Sequence, residues 1–204
     1  VGRRNLKFQY THSASENRRI DPSVTNIVDL YLLTKNYDIA YRNYLAGATA
    51  EPVAPTTDSL RIEFGANLNA IKTISDEVIY HPVKYKVLFG SKSTENLQAT
   101  FKVVKNTENV VNDNDIKVRI ISSINRYFSL TNWSFGETFH FTELATYVMN
   151  ELAPDLTNFI IVPKLGQLSF GSLYEIKSEN DEIFVSDATV QDVEIIDSIT
   201  ASRI

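Results

Sequence analysis

The sequence contains no cysteine. That excludes a disulfide framework, thiolate-bound zinc or iron–sulfur, and a thiol nucleophile. Glycine is scarce, at seven residues in 204, and the chain holds neither G-x-x-x-x-G-K-S/T nor G-x-G-x-x-G. No glycine-rich phosphate cradle is therefore expected. Neither sign of charge dominates: 20 Lys and Arg stand against 25 Asp and Glu, a net charge of −5. Nucleic-acid binding by bulk charge is disfavoured, because phosphate affinity comes from clustered cations that release counterions. No apolar run approaches the roughly 18–20 residues of a membrane span. Val1-Gly2-Arg3-Arg4-Asn5 lacks an initiator Met and is not followed by the apolar stretch of a signal peptide. Residues 6–10 (LKFQY) already read as a strand, so the chain is expected to be a piece of a longer protein.

What is present is the composition of an ordinary globular chain, 43% hydrophobic and 22% charged. A chain of this length buries about 70% of its unfolded surface without a metal or disulfide staple. Residues 26–33 (NIVDLYLL) are apolar on both faces apart from Asp29 and predict a central strand buried on two sides. Tyr37, Tyr41, Tyr44 and Leu45 recur at helical spacing over 36–46, with Gly47 placed to end the helix. A small-residue loop over 47–56 leads to a second helix, with Thr57 as its expected N-cap and Leu60, Phe64, Leu68 and Ile71 on one stripe. Val83, Tyr85, Val87 and Phe89 alternate, as do Leu97, Ala99, Phe101 and Val103. The two runs predict an antiparallel hairpin across the turn at 90–96.

Residues 106–115 (NTENVVNDND) form the strongest polar break and predict a boundary between an N-terminal α+β subdomain, 1–105, and a C-terminal helix-pair plus β subdomain, 106–204. Beyond it, Ile116, Ile120, Ile121, Ile124 and Phe128 mark one helix, with Asn112 to Asn114 available as caps. Phe141, Leu144, Ala145, Val148 and Leu152 mark another, stopped by Pro154. Strands follow at 158–162, 173–177, 182–186 and 190–197, the middle two joined by a turn over Ser178-Glu179-Asn180-Asp181. The fold class is α+β, with mixed, mostly antiparallel sheets and two helix pairs.

Chemistry is sparse. His12, His81 and His140 lie far apart and in no metal-ligand spacing. Ser91 follows Gly90 in a polar turn without the G-x-S-x-G of a nucleophile elbow. Asp113-Asn114-Asp115 reads as a helix cap, lacking the spaced ligands of a calcium loop. Glu179, Asp181, Glu182 and Asp187 are explained by turn solubility before a glycosidase pair. Arg3, Arg4, Lys7, Arg18 and Arg19 are the one basic concentration, near the expected cut end, and no cationic run accompanies Trp133, Phe135 and Phe139. No catalytic, cofactor-binding or metal-binding residue is expected. Ten tyrosines suit either an ordinary core with hydroxyls at the surface or a protein interface, where Tyr offers wide contact at low entropic cost.

One segment is distinctive. Ile124-Asn125-Arg126-Tyr127-Phe128 closes an Ile-rich helix; Trp133-Ser134-Phe135-Gly136-Glu137, Phe139-His140-Phe141-Thr142-Glu143-Leu144 and Asp155-Leu156-Thr157-Asn158-Phe159 follow in order. This set resembles the baseplate-J-like proteins of contractile phage tails, whose pattern is a helix, a Trp-x-x-Gly turn, a second helix and a strand. The stretch from Phe170-Gly171-Ser172-Leu173-Tyr174 to Ile195-Ile196-Asp197 resembles the C-terminal part of the wedge subunit of T-even-type phages. Residues 24–33 and 80–89 resemble it too. The sequence departs from the family at Ala153-Pro154-Asp155-Leu156, where a Gly-Val turn is usual. At the junction, Gly136 is free to take a positive φ, and Trp133 and Phe139 are expected to wedge between the two helices.

The resemblance implies a structural virion protein without catalysis, located in the tail baseplate and assembled in the host cytoplasm. It implies self-association, as a homodimer and within a ring around the central hub, and contacts with other baseplate wedge proteins. Nucleic acid and membrane are not expected partners. Tyr127, Trp133, Phe135, Gly136 and Phe139 are the candidate structural junction or interface. The alternative is a carbohydrate- or receptor-binding module on a virion surface, for which a cleft lined by Trp133 or several tyrosines with carboxylates beside it would speak. A hydrolase, third, would need two carboxylates about 5–10 Å apart in a groove.

Overall fold

The computed structural model describes residues 27–68, 77–106, 108, 112–165 and 175–196. The strand expected at 6–10, His12 and the five N-terminal basic residues lie outside them. Four helices have legible causes. In α1 (Lys35–Leu45) the Thr34 hydroxyl accepts from the Tyr37 N–H, Tyr37 and Tyr41 face inward, and Gly47 follows at φ +76°. In α2 (Thr57–Phe64) the cap is Thr56 rather than Thr57. Its hydroxyl accepts from the Ser59 N–H at 3.2 Å, while the Ser59 hydroxyl accepts from the Thr56 N–H at 3.0 Å. That reciprocal pair satisfies two orphan donors at once, which a cap one residue later would not. Asn112 caps α3 (Asp113–Tyr127), which buries Ile116, Ile120 and Ile124, and α4 (Phe141–Leu152) buries Phe141, Leu144, Val148 and Leu152.

Nine strands lie among the described residues: β1 (Ile27–Leu32), β2 (Glu77–Pro82), β3 (Lys84–Leu88), β4 (Ala99–Lys105), β5 (Thr138–His140), β6 (Leu156–Pro163), β7 (Glu175–Lys177), β8 (Glu182–Ser186) and β9 (Val193–Ile195). The class is α+β. The pairing corrects the expected bias, since β1–β2, β3–β8 and β4–β9 are parallel and only β4–β6 and β5–β7 are antiparallel.

Strands β3 and β4 do not form the expected hairpin. Phe89, fully buried, takes a left-handed φ of +77°, which turns the backbone out of β3. It leaves one isolated bridge to Gln98, while β3 takes β8 as its partner. Strands β7 and β8 likewise pair elsewhere, although their turn closes with a Glu182 N–H bond to the Glu179 carbonyl at 2.9 Å. Nor is β1 central: among the described residues it pairs with β2 alone, and Asp29 on its exposed face meets His81 Nε2 at 2.8 Å. Its Val28, Leu30 and Leu32 serve one side, in a small cluster with Leu60, Leu68 and Tyr80, while Tyr31 packs against the main core.

That cluster also breaks the first expected helix pair, because Leu60 of α2 lies in it while Tyr37 and Tyr41 of α1 lie in the main core. Helices α3 and α4 do pack together, with α4 against β6. The boundary at 105/106 does not divide the fold. Strands β3 and β4 are hydrogen-bonded to β8, β6 and β9, and one core runs from Tyr37 to Val193.

A tight node joins these parts. Buried Asp187, just past β8, accepts from the Lys92 N–H at 2.8 Å, and its own N–H reaches the Leu88 carbonyl at 3.0 Å. The Lys92 ammonium donates to the Leu45 carbonyl at 2.7 Å, where a cation complements the end of α1. Gly90 is pressed against this node, so that a Cβ there would sit 1.9 Å from the Asp187 carbonyl oxygen. Because the obstacle is backbone, Gly90→Ala should cost about 3 kcal/mol or more; a urea midpoint equal to wild type would refute the close approach.

Glu182, at the head of β8, generates a pH dependence. Burial pushes its carboxyl up, but the Glu179 N–H at 3.0 Å and the Lys86 ammonium at 2.9 Å outweigh that and hold it below the ordinary value of 4.5. A carboxyl depressed on folding stabilises above its unfolded value and loses that contribution as pH falls through the folded one. The melting-temperature gap between wild type and Glu182→Gln should therefore be open at about pH 7 and close below about pH 4. A gap independent of pH would show that Lys86 and Glu182 do not interact in solution.

Candidate functional site

The candidate residues gather at the end of α3. The last carbonyls of a helix lack intrahelical partners, and here the following loop supplies them. The Asn132 amide donates to the Arg126 carbonyl at 3.0 Å, and the Trp133 indole N–H donates to the Tyr127 carbonyl at 2.8 Å. Trp133 thus caps the helix, a role that was not anticipated. The i+5 and i+6 spacing of Asn132 and Trp133 from Tyr127 was the available signal.

Around that cap lies an aromatic hub. Trp133 stacks on Phe128 at 5.5 Å and 20°, meets Phe184 of β8 edge-on at 5.3 Å, and meets Tyr127 at 5.5 Å. Phe139, fully buried on β5, sits 5.4 Å from Phe128, 5.8 Å from Phe89 and 5.0 Å from Phe141. Edge-on and offset pairs are worth about 0.5–1.5 kcal/mol each beyond area burial. Trp133, 7% exposed, and Phe139, 0% exposed, are therefore core and not free surface. Phe135 packs half-buried against the same core. Gly136 takes φ +72°, and its N–H donates to the Glu182 carbonyl at 3.2 Å. A Cβ at Gly136 would meet Asn180 Oδ1 at 3.1 Å, so the turn needs glycine for both its dihedral and its closeness to the 178–181 loop.

Outside the hub runs an open groove of about 650 Å³, lined by Tyr127, Asn132, Trp133, Glu137, Thr138, His140, Glu143 and Tyr147. A second recess along α4 shares Tyr127, Glu143 and Tyr147 with it. The Tyr127 and Tyr147 rings lie 5.3 Å apart at 56°. Burial pushes the Tyr127 hydroxyl above its ordinary value, and the Glu143 and Glu137 carboxylates push it further. It therefore stays a donor at neutral pH. The carboxylate of Glu175 approaches His140 Nδ1 at 3.9 Å. Glu137, His140, Glu143 and Tyr147 were not anticipated as one surface. Glu143 and Tyr147 stand at i, i+4 on the polar face of α4, which was a readable signal, but their meeting with Glu137 depends on the Gly136 turn.

The remaining candidates resolve into structural roles. Glu182 pairs with Lys86, Asp187 with Lys92 and Asp181 with Lys84, so the acidic run is distributed among cations. Asp113 and Asp115 occupy the first turn of α3, and Asp113 meets Lys105 at 2.6 Å. His81 stacks on Tyr31 at 4.9 Å. Tyr37, Tyr41, Tyr80 and Tyr85 are buried, so these four of the tyrosines belong to the core. Among the described residues no cluster of three or more His, Asp or Glu could hold a metal, and no helix is long and apolar enough to cross a membrane. No protein-family model matches the chain, and no curated protein matches it.

Trp133→Ala removes the stack and the cap and should cost about 3–5 kcal/mol. Trp133→Phe keeps a ring but leaves the Tyr127 carbonyl with only the long bond from the Asn132 amide at 3.5 Å, for about 1–3 kcal/mol. Denaturant melts of both variants check this; a Trp133→Phe variant as stable as wild type would show that the indole N–H does not cap α3.

Proposed function

We propose that the chain is a structural component of a contractile phage tail baseplate, a self-associating wedge subunit. In this reading it helps form the ring that joins wedges around the central hub and passes on the shape change that precedes sheath contraction. The observation that carries the reading is the ordered helix, Trp-x-x-Gly turn, helix and strand, which here form one packed unit. Helices α3 and α4 and strand β6 follow in that order, and the Trp133–Phe139 hub ties them to β3 and β8. A part that transmits force needs such a stiff body, because close-packed interiors pass strain on instead of absorbing it. Ala153-Pro154-Asp155, the departure from the family pattern, still makes a tight turn, with the Asp155 N–H bonded to the Leu152 carbonyl at 2.8 Å.

Apolar side chains exposed on α1, the loop after it and α2 also support an assembly role. Ile39, Val53 and Ile62 are 48%, 91% and 81% exposed, and interfaces draw on such surface. Light scattering over a concentration series tests the proposal. The expected result is a species of twice the 23.1 kDa chain mass at micromolar concentration. A mass that stays at one chain up to the highest soluble concentration would remove self-association from the reading.

A further inference from the structure

We propose that the groove between the end of α3 and the polar face of α4 binds a neutral saccharide. This goes beyond the assembly role and does not depend on it. The groove is shallow and open, its floor is the rigid aromatic hub, and it continues along α4 past Tyr147. Such a shape suits a ligand that lies along a surface, longer than one ring, more than a compact molecule that fills a hole.

The lining states the chemistry. Tyr127 and Tyr147 form a tilted aromatic corner, a surface for the C–H faces of a sugar ring. Trp133 offers no free face, since Phe128 covers it. Carboxylate acceptors stand out among the polar groups: Glu137 and Glu143 form no ion pair among the described residues, the Tyr127 hydroxyl reaches Glu143 only at 3.5 Å, the Tyr147 hydroxyl is spent on Glu151 at 3.2 Å, and no lysine or arginine lines the groove. The Asn132 amide N–H is already spent on the end of α3. A surplus of acceptors calls for a ligand rich in donors, and carboxylates take hydroxyl protons in strong, short bonds. The same carboxylates repel an anionic sugar. A lone cationic side chain would satisfy one carboxylate and leave the others spread along the groove, whereas hydroxyls on successive carbons can meet several.

The test is binding of the whole chain to an array of neutral, amino and acidic oligosaccharides, followed by titration of the strongest neutral glycan. Trp133 is the one tryptophan in the sequence and lines the groove, so its emission reports occupancy directly. Neutral glycans should bind and saturate the emission change, and sialylated or phosphorylated ones should not. Tyr147→Ala should weaken binding about tenfold or more by removing the ring platform. Glu143→Gln, which keeps the shape and so guards against a folding defect, should weaken it about fivefold by losing a charged acceptor. Three results would overturn the proposal: no neutral glycan above background, unchanged affinity in both variants, or saturation by arginine amide without any by neutral glycans. A chain that dimerises yet ignores every neutral glycan keeps the assembly reading and loses this one.

Discussion

The packing of Phe89 is the constraint on which the rest of the molecule depends. A bulky residue in the left-handed region is strained by about 1–3 kcal/mol, and it persists here because its buried ring faces Phe101, Phe128, Phe139 and Phe141. Those partners come from β4, the end of α3, β5 and the start of α4. The turn at Phe89 also sends β4 away from β3, freeing β3 for β8 and β4 for β6 and β9. One strained residue thus decides which strands pair, and the hub it enters is what makes that strain tolerable.

A consequence is that segments far apart in the chain meet at its centre. β3 begins near residue 84 and its partner β8 near residue 182; Trp133 is sealed by Phe184. Loop-closure entropy must be met before such contacts reward it, so a fold of this kind assembles late and cooperatively. Helices α3 and α4 have strong local signals, but the hub they share is completed by Phe184 of β8.

The same junction shapes the outer surface. Asn132 and Trp133 are held at the end of α3 by the carbonyls they cap, and Gly136 then brings Glu137 beside Glu143 and Tyr147 of α4. Internal rigidity and an exposed, acceptor-rich groove follow from one turn.

The sequence by itself determined the helices and the inward residues of most strands. Ile116, Ile120, Ile124, Leu144, Val148 and Leu152 are buried as their spacing requires, because burying one face of a helix is a local, periodic demand. It also anticipated the positive φ of Gly136. Tertiary structure alone decided which strands pair, that residues 1–105 and 106–204 are not separate bodies, and that Tyr127, Glu137, Glu143 and Tyr147 share a groove. The physical reason is that alternation marks a strand's faces but not its edges. Edge partners are settled by which backbone donors and acceptors meet once the core is packed, and here a left-handed phenylalanine redirected them.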